Sequence, residues 1–157
     1  MDSSTRVYLC ENGACLLNGD AYRIYAPCMY QPSFEKYKEK MEGYITDSSV
    51  KIFVCEYHGD HVGFLVLKDD EILGIAVDEN CRKLGLGKLM INEAMRSLDL
   101  KCVRAQTDDD AVDFYRRCGF KIERREVDYP DGVAVRYDCF LGKESLEKTN
   151  FSFAINP

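Results

Sequence analysis

The sequence predicts a mixed α+β domain in which a central mixed sheet of about six to seven strands is flanked by helices. Three consecutive strand patterns, joined by short polar turns as in an antiparallel meander, cover residues 50–57, 61–68 and 72–77. A helical pattern separates the third strand from another at residues 101–106, and such a β-α-β unit requires a parallel pair. Two more strand patterns flank the turn Pro130-Asp131-Gly132 and predict a C-terminal hairpin. Antiparallel and parallel pairs together define a mixed sheet.

The N-terminal segment carries a turn signal. Asn12-Gly13 stands between two short apolar runs, VYLC and ACLL, which is typical of a two-residue β-hairpin. Residues 20–30 then show a weak helical stripe, and Pro27 must break or kink any helix there. A better helix is predicted over residues 33–45, with Ser33 as its N-cap. Its aromatic face is typical of core or of a pocket wall and consists of Phe34, Tyr37, Met41 and Tyr44.

The C-terminal third adds one short helix and the hairpin. Residues 108–118 predict the helix, with acids in the first turn, where the helix dipole favours them, and Gly119 as its stop. The strands of the hairpin cover residues 121–127 and 133–140. The segment 142–157 begins polar and then alternates apolar residues, which leaves open an added strand, a partner contact or a frayed end. The alternating residues are Phe151, Phe153 and Ile155.

Length and composition indicate a single domain over residues 1–157. No stretch approaches the roughly 20 apolar residues that span a membrane, and no basic segment with an apolar run opens the chain. We therefore expect a cytosolic protein without a membrane partner. The net charge of −6 argues against nucleic acid, because phosphate contacts dominate that binding, and makes a cationic amine easier to accommodate. The oligomeric state stays open, with a homodimer among the alternatives.

Cysteine and histidine are the residues that would indicate a disulfide framework or a metal site. Most of the eight cysteines lie inside apolar strand or helix patterns, and no CxxC pair occurs. We expect buried free thiols. The only two histidines, His58 and His61, fall at a polar turn between two strands, so no metal site is expected.

The third strand of the meander leads into a basic, glycine-punctuated turn, RKLGLGK, and then into a helical pattern. Backbone N–H groups and the positive end of a helix dipole meet in such a turn. Gly85 and Gly87 carry no Cβ to block a ligand, and Arg82, Lys83 and Lys88 add formal charge. The turn therefore predicts a site for a ligand with two or more phosphates.

Two common phosphate-binding motifs fit this turn poorly. A P-loop needs GK followed by Ser or Thr, but Lys88 is followed by Leu89. A Rossmann fingerprint would need a third glycine at Met90, although Asp108 falls at roughly the separation of a ribose-binding acid.

The spacing R-x-x-G-x-G of the turn resembles the acetyl-CoA pyrophosphate motif of the GNAT superfamily of N-acetyltransferases. The resemblance covers residues 50–141 and includes a second cofactor motif, DDDAVDFYRRCGF, at residues 108–120. In that motif the positions that match the family are Ala111, Tyr115, Gly119 and Phe120. The resemblance implies the GNAT fold, acetyl-CoA as the cofactor with CoA as product, and an amine acceptor. The predicted N-terminal hairpin departs from the family pattern of one strand followed by a helix, so the acceptor stays open.

The resemblance also implies roles for single residues. Glu71 matches the general-base glutamate of the histone-acetylating branch, and Tyr115 matches the general-acid tyrosine. The backbone of Ile75 would polarise the thioester carbonyl, and the strand that contains it would pair with pantetheine. Asp108 stands where the family often has Asn, and an acid cannot donate a hydrogen bond as an amide does. The implied cofactor-binding set is Ile75, Ala76, Val77, Arg82, Lys83, Leu84, Gly85, Leu86, Gly87, Lys88 and Asp108.

The residues by themselves leave alternatives open. Glu71 also fits a solvated acid in the Asp69-Asp70-Glu71 turn, and Tyr115 fits a core aromatic on a helix stripe. The favoured function is direct transfer of an acetyl group from acetyl-CoA to a primary amine in a ternary complex. The acceptor is a small-molecule amine or a protein amine. The alternative is a non-catalytic CoA-binding module that regulates or assembles with a partner.

Overall fold

The computed structural model describes residues 4–143. The strands are β1 (Thr5–Leu9), β2 (Val50–Tyr57), β3 (Asp60–Lys68), β4 (Glu71–Val77), β5 (Cys102–Thr107), β6 (Lys121–Tyr129) and β7 (Gly132–Gly142). The α-helices are α1 (Gly19–Tyr25), α2 (Phe34–Thr46), α3 (Leu86–Ser97) and α4 (Val112–Arg117). The strands form one seven-stranded sheet in the order β1-β2-β3-β4-β5-β7-β6. This mixed sheet, flanked by helices, confirms the predicted fold class. The three alternating residues predicted at 151–155 lie outside the described residues.

The chain divides into two compact units. The described residues of the first unit fall within Met1–Asp69 and Leu73–Ala94, and those of the second within Asp70–Ile72 and Met95–Pro157. Within residues 4–143, no helix is both long enough and apolar enough to cross a membrane.

The first unit has an antiparallel β1-β2-β3 ribbon whose register pairs Val7 with Cys55 and Phe53 with Leu65. Helices α1 and α2 build their core with this ribbon, and Leu16, Tyr37, Met41 and Phe64 have no exposed surface. The hydroxyl of Ser33 accepts a hydrogen bond from the N–H of Lys36 (3.2 Å), so the predicted N-cap is confirmed. Pro27 lies in the 3-10 turn that ends α1, as predicted from its missing N–H.

The predicted N-terminal hairpin is wrong. Strand β1 pairs with β2, and Asn12-Gly13 begins a 3-10 turn over Ala14–Leu16. The side chain of Asn12 accepts a hydrogen bond from the N–H of Ala14 (3.1 Å), and Gly13 adopts a positive φ of 68°. The same Asn-Gly chemistry that favours a hairpin therefore turns the chain toward α1, where Leu16 is fully buried. The N-terminus consequently follows the strand-then-helix pattern from which the sequence appeared to depart.

The expectation of buried free thiols holds for part of the set. Cys55, Cys118 and Cys139 are free and buried. Cys10 and Cys15 are paired with each other, across a separation of five residues. Cys28 is exposed, and Cys81 and Cys102 are half-buried. The pairing was not predicted because neither cysteine belongs to a CxxC motif and both were assigned to strands of the hairpin that does not form.

The second unit contains the parallel pairing predicted for the β-α-β unit, which joins Glu71 of β4 to Arg104 of β5. Strand β7 pairs antiparallel with both β5 and β6, so the predicted C-terminal hairpin is confirmed. Side chains along β5 alternate: Val103, Ala105 and Thr107 are buried, whereas Arg104 and Gln106 are exposed. Helix α4 is shorter than predicted because residues 108–111 form a turn before it.

Candidate active site

The turn between β4 and α3 has the geometry expected for an anion site. Lys83 and Gly85 both adopt a positive φ, 74° and 75°. The carbonyl of Gly85 accepts the first intrahelical hydrogen bond from the N–H of Leu89 (3.0 Å). The N–H groups of residues 86–88 therefore precede the helical ladder and lie at the positive end of the helix dipole.

The side chains of this turn differ in their surroundings. Arg82, Lys83 and Leu84 are exposed, and the Nε of Arg82 lies 3.5 Å from the carbonyl oxygen of Val77. Lys88 is half-buried and Gly87 is buried in the first turn of α3. The charges of Arg82 and Lys83 are thus accessible to an anion from solvent, whereas Gly87 is buried.

Asp78 fixes the start of the turn. Its backbone N–H donates to the carbonyl of Val62 (2.7 Å), and its carboxylate accepts from the N–H of Asn80 and from Nη2 of Arg23, both at 3.0 Å. Its carbonyl accepts from the N–H of Cys81 (2.9 Å). Asp78 is only 8% exposed. The hydrogen bond from the backbone N–H of Asn80 does most to hold the pKa of its carboxyl below the usual range, and the hydrogen bond from Arg23 comes next.

Strand β4 upstream of the turn lies against β3 and α1. A Cβ added to Gly63 of β3 would lie 2.8 Å from the carbonyl oxygen of Ala76. The two backbones are therefore too close for any residue except glycine at position 63. On α1, the ring of Tyr25 lies beside Gly74, where an added Cβ would be 3.5 Å from Cε2 of the ring. The Sγ of Cys28, just beyond the helix, lies 4.0 Å from the carbonyl oxygen of Ile75. Burial raises the pKa of Tyr25 to about 12.

Glu71 lies in the second unit and is more solvated than a buried base would be. Its side chain is 38% exposed, and its Oε2 lies 3.9 Å from Nη2 of Arg104. Arg104 binds Asp70 more closely, through Nε at 3.0 Å and Nη2 at 2.8 Å from Oδ1. The Arg104 hydrogen bonds hold the pKa of the Asp70 carboxyl below its usual range. Glu71 and Arg104 line a cavity of about 510 Å³ together with Gln106, Lys121, Glu123, Asp138 and Phe140.

Tyr115 lies on α4 with 6% of its surface exposed. Its ring packs edge-on against Phe114 and Phe120, with centroids 5.1 and 5.2 Å away. This packing would serve either a core aromatic or a phenol held in one orientation for proton transfer. The general-acid role stays a prediction.

Asp108 has a local structural role. Its Oδ1 accepts hydrogen bonds from the N–H groups of Asp110 (3.0 Å) and Ala111 (3.2 Å), which form the turn before α4. The side chain that was predicted to contact the cofactor is thus engaged with its own backbone. Its cofactor role stays a prediction.

The sequence interpretation missed Arg23, Tyr25, Asp78 and Arg104. Asp78 had a local signal, because an Asp directly after an apolar strand and before a turn is typical of a side chain that caps backbone N–H groups. Arg23 and Arg104 had none, since their partners lie 55 and 34 residues away in sequence. Within residues 4–143, no group of three or more His, Cys, Asp or Glu side chains is arranged to hold a metal ion.

Comparison with known proteins agrees with the fold. The family model for the acetyltransferase (GNAT) family matches residues 19–120. A search of curated proteins finds no significant match. The chain belongs to the GNAT acetyltransferase family, and the protein is therefore an acetyltransferase.

Solved structures show the same fold. The dodecameric spermidine N-acetyltransferase of Vibrio cholerae superposes with a TM-score of 0.64 at 17% identity, covering 92% of this chain and 97% of that one. The ribosomal-protein-S18-alanine N-acetyltransferase of Escherichia coli gives 0.56 at 15% identity, covering 88% and 93%. A putative streptothricin acetyltransferase of Bacillus anthracis in complex with acetyl coenzyme A gives 0.50 at 28% identity, covering 64% and 66%.

Proposed function

We propose that the protein transfers an acetyl group from acetyl-CoA to a primary amine, directly and within a ternary complex. The observation that carries this proposal is the turn at residues 82–88. Its backbone N–H groups, its positive-φ residues and its exposed cations suit a pyrophosphate. The B. anthracis structure similar to this chain contains acetyl coenzyme A, which supports the same ligand here.

The turn and β4 offer the chemical groups that this ligand needs. The N–H groups of residues 86–88 would hold the pyrophosphate, with Arg82 and Lys83 neutralising its charge. The backbone of Ile75, Ala76 and Val77 would hold pantetheine as an added strand. Bound acetyl-CoA supplies the acetyl group as a thioester, whose C–S bond breaks as the amide forms.

The chain has to handle two protons in this reaction. A primary amine near its reference pKa of 10.4 is neutral in only about one molecule in a few thousand at pH 7, so a base must take a proton from it. We assign this step to Glu71 acting through a water, which its partial exposure allows. Tyr115 would give a proton to the departing sulfur, and the N–H of Ile75 would stabilise the carbonyl oxygen.

The acceptor is a primary amine of a small molecule or of a protein. The similar structures include enzymes named for spermidine, for the alanine of a ribosomal protein and, putatively, for streptothricin. The single-domain organisation over residues 1–157, the cytosolic location and the oligomeric state stay predictions.

Thiol release tests the function. Purified protein is incubated with acetyl-CoA and each of four amines: spermidine, lysine, a peptide with an N-terminal alanine, and streptothricin. Release that depends on one of these amines supports the proposal. Tight acetyl-CoA binding without release from any amine would favour a non-catalytic CoA-binding role and contradict it.

Cofactor binding is tested at Arg82. The sequence suggests Gly87→Glu as the probe, but Gly87 is buried, so Arg82→Glu changes the charge of the turn with less effect on packing. We expect a loss of acetyl-CoA affinity of about 10- to 100-fold by calorimetry, because a charge-assisted contact is replaced by repulsion. Lys51→Glu, at an exposed position on β2, makes the same change in net charge and should leave the affinity unchanged. Equal effects of the two variants would contradict the assignment of the turn.

A further inference from the structure

Arg23 joins α1 to the start of the turn between β4 and α3. It lies in the last turn of α1, and its Nη2 donates to Oδ2 of Asp78 at 3.0 Å. The side chain of Arg23 is 54% exposed, whereas that of Asp78 is only 10% exposed. Both residues belong to the first unit of the chain. A helix outside the turn therefore supplies a positive charge to a nearly buried carboxylate at the start of the turn.

A second cation lies near the same carboxylate. Arg82 comes four residues after Asp78, and its Nε lies 3.5 Å from the carbonyl oxygen of Val77. This distance is long for a hydrogen bond, so Arg82 is weakly held there. The N–H of Asn80 does most to lower the pKa of the Asp78 carboxyl, Arg23 comes next, and the charge of Arg82 adds to their effect. Asp78 thus lies within the electrostatic reach of two guanidinium groups, of which that of Arg23 makes the hydrogen bond.

Removal of the Arg23 charge would leave the Asp78 carboxylate buried and without its cation. A buried charge that has lost its partner is costly, so the remaining cation is drawn to it. Arg82 is that cation, and it lies on the same turn. A guanidinium that binds Asp78 has fewer N–H donors left for an anion, because each good hydrogen bond uses one of them. Asp78 and a bound pyrophosphate therefore compete for Arg82, and Arg23 decides the competition.

We propose that Arg23 is a positioning residue for the cofactor, because its ion pair with Asp78 keeps Arg82 available to the pyrophosphate of acetyl-CoA. This inference rests on the proposed function, in which Arg82 neutralises that pyrophosphate. Arg23 acts through Asp78 and does not touch the cofactor itself. The affinity for acetyl-CoA therefore depends on a residue of α1 that lies outside the cofactor-binding turn.

Calorimetry of acetyl-CoA binding tests this role. Arg23→Gln removes the charge and should weaken binding about 3- to 10-fold, as for the loss of one hydrogen bond, because Asp78 then draws Arg82 away. Arg23→Lys keeps the charge, and since only one nitrogen of Arg23 bonds to Asp78, this variant should bind within about twofold of the parent. Arg6→Gln is the matched control. It removes an exposed arginine that lies 3.9 Å from Glu56, makes the same change in net charge, and should leave the affinity unchanged.

Second substitutions separate this mechanism from a loosened turn. Adding Asp78→Asn to Arg23→Gln should restore the affinity, because the amide has no charge with which to draw Arg82 away. The amide oxygen can still accept from the N–H of Asn80, whereas a turn that is merely loosened would lose further affinity with the second change. In an Arg82→Gln background, Arg23→Gln should have no further effect, because the residue that it protects is gone. Melting temperatures recorded for every variant check that each is folded at the temperature of the assay.

Three results would overturn the inference. They are an affinity of Arg23→Gln within about twofold of the parent, no recovery when Asp78→Asn is added, and an equal loss in the Arg82→Gln background. The proposed function can fail separately. If the parent binds acetyl-CoA but releases no thiol with any amine, acetyl transfer fails while binding still decides the role of Arg23. If the parent does not bind acetyl-CoA, both proposals fail.

Discussion

Asp78 gives a direct test of how the turn between β4 and α3 is held in place. Asp78→Ala removes two hydrogen bonds, to the N–H of Asn80 and to the guanidinium of Arg23, from a side chain that is almost fully buried. A cap of this kind contributes about 1 kcal/mol and a charge-assisted bond about 1.5–3 kcal/mol, so we expect a loss of about 2–4 kcal/mol in the free energy of unfolding. The melting temperature should fall by roughly 4–16 °C for a chain of this size.

The pH dependence of this loss has a definite sign. Because the folded pKa of Asp78 is held below the ordinary value of an aspartate, its contribution is fully present above that ordinary value and is lost as the pH falls through the folded pKa. Urea unfolding of the parent and of Asp78→Ala should therefore differ by a constant amount near neutral pH, and the difference should shrink below about pH 4. Asp47→Ala is the control: Ser49 and Lys68 lower the pKa of Asp47 to about 2, but at the surface. Equal destabilisation by the two variants would refute the reasoning.

Three further substitutions follow from the same contacts. Tyr115→Phe should lower kcat about 100- to 10,000-fold with little change in KM for acetyl-CoA if the phenol is the general acid; a drop in melting temperature with kcat within threefold would identify a core aromatic instead. Glu71→Gln should lower kcat with acetyl-CoA affinity preserved, whereas Glu126→Gln, on an exposed stretch of β6, should not; equal rates would remove Glu71 as the base. Gly63→Ala forces a Cβ against the carbonyl of Ala76 and should cost about 1–3 kcal/mol by urea unfolding, and a parent-like midpoint would show that β3 and β4 can separate there.

The strands were predictable because their burial pattern is local. β2, β3 and β4 begin and end within one residue of the boundaries expected from apolar patterning. The β-α-β unit followed from chain geometry, since a helix between two strands favours a parallel pair, and Glu71 does pair with Arg104 in that way.

The predicted N-terminal hairpin does not form because tertiary packing outweighs the local turn signal. Asn-Gly is a strong hairpin signal, but a hairpin would have left Leu16 on a two-stranded ribbon with little to pack against. When β1 pairs with β2 instead, the backbone N–H and C=O groups of β1 find hydrogen-bond partners in the sheet. The 3-10 turn then buries Leu16 with Tyr37 and Met41. Local turn propensity is small compared with the burial of a whole side chain, so the global arrangement decides.

The part of the candidate site that could be predicted is the part built from residues close together in the sequence. The turn at residues 82–88 is contiguous, and the positive φ of Gly85 fits the glycine pattern, whereas the positive φ of Lys83 had no signal in the sequence. Tyr25 lacked such a signal, because the strand residue beside its ring, Gly74, comes 49 residues later in the sequence. A helical stripe marks such a tyrosine as core, and only the fold shows that its ring lies beside β4.

Arg104 links the two acids at the start of β4 in a way that bears on the base. Its guanidinium makes two hydrogen bonds to Asp70 and stays 3.9 Å from Glu71, too far for a hydrogen bond. Asp70 thus holds the guanidinium through its Nε and Nη2, and the Glu71 carboxylate stays able to accept from water. A carboxylate that is more than one-third exposed and not saturated by its cation suits proton relay through solvent better than direct contact with a buried amine. The arrangement that makes Glu71 look like an ordinary surface acid is therefore also the one that a water-mediated base requires.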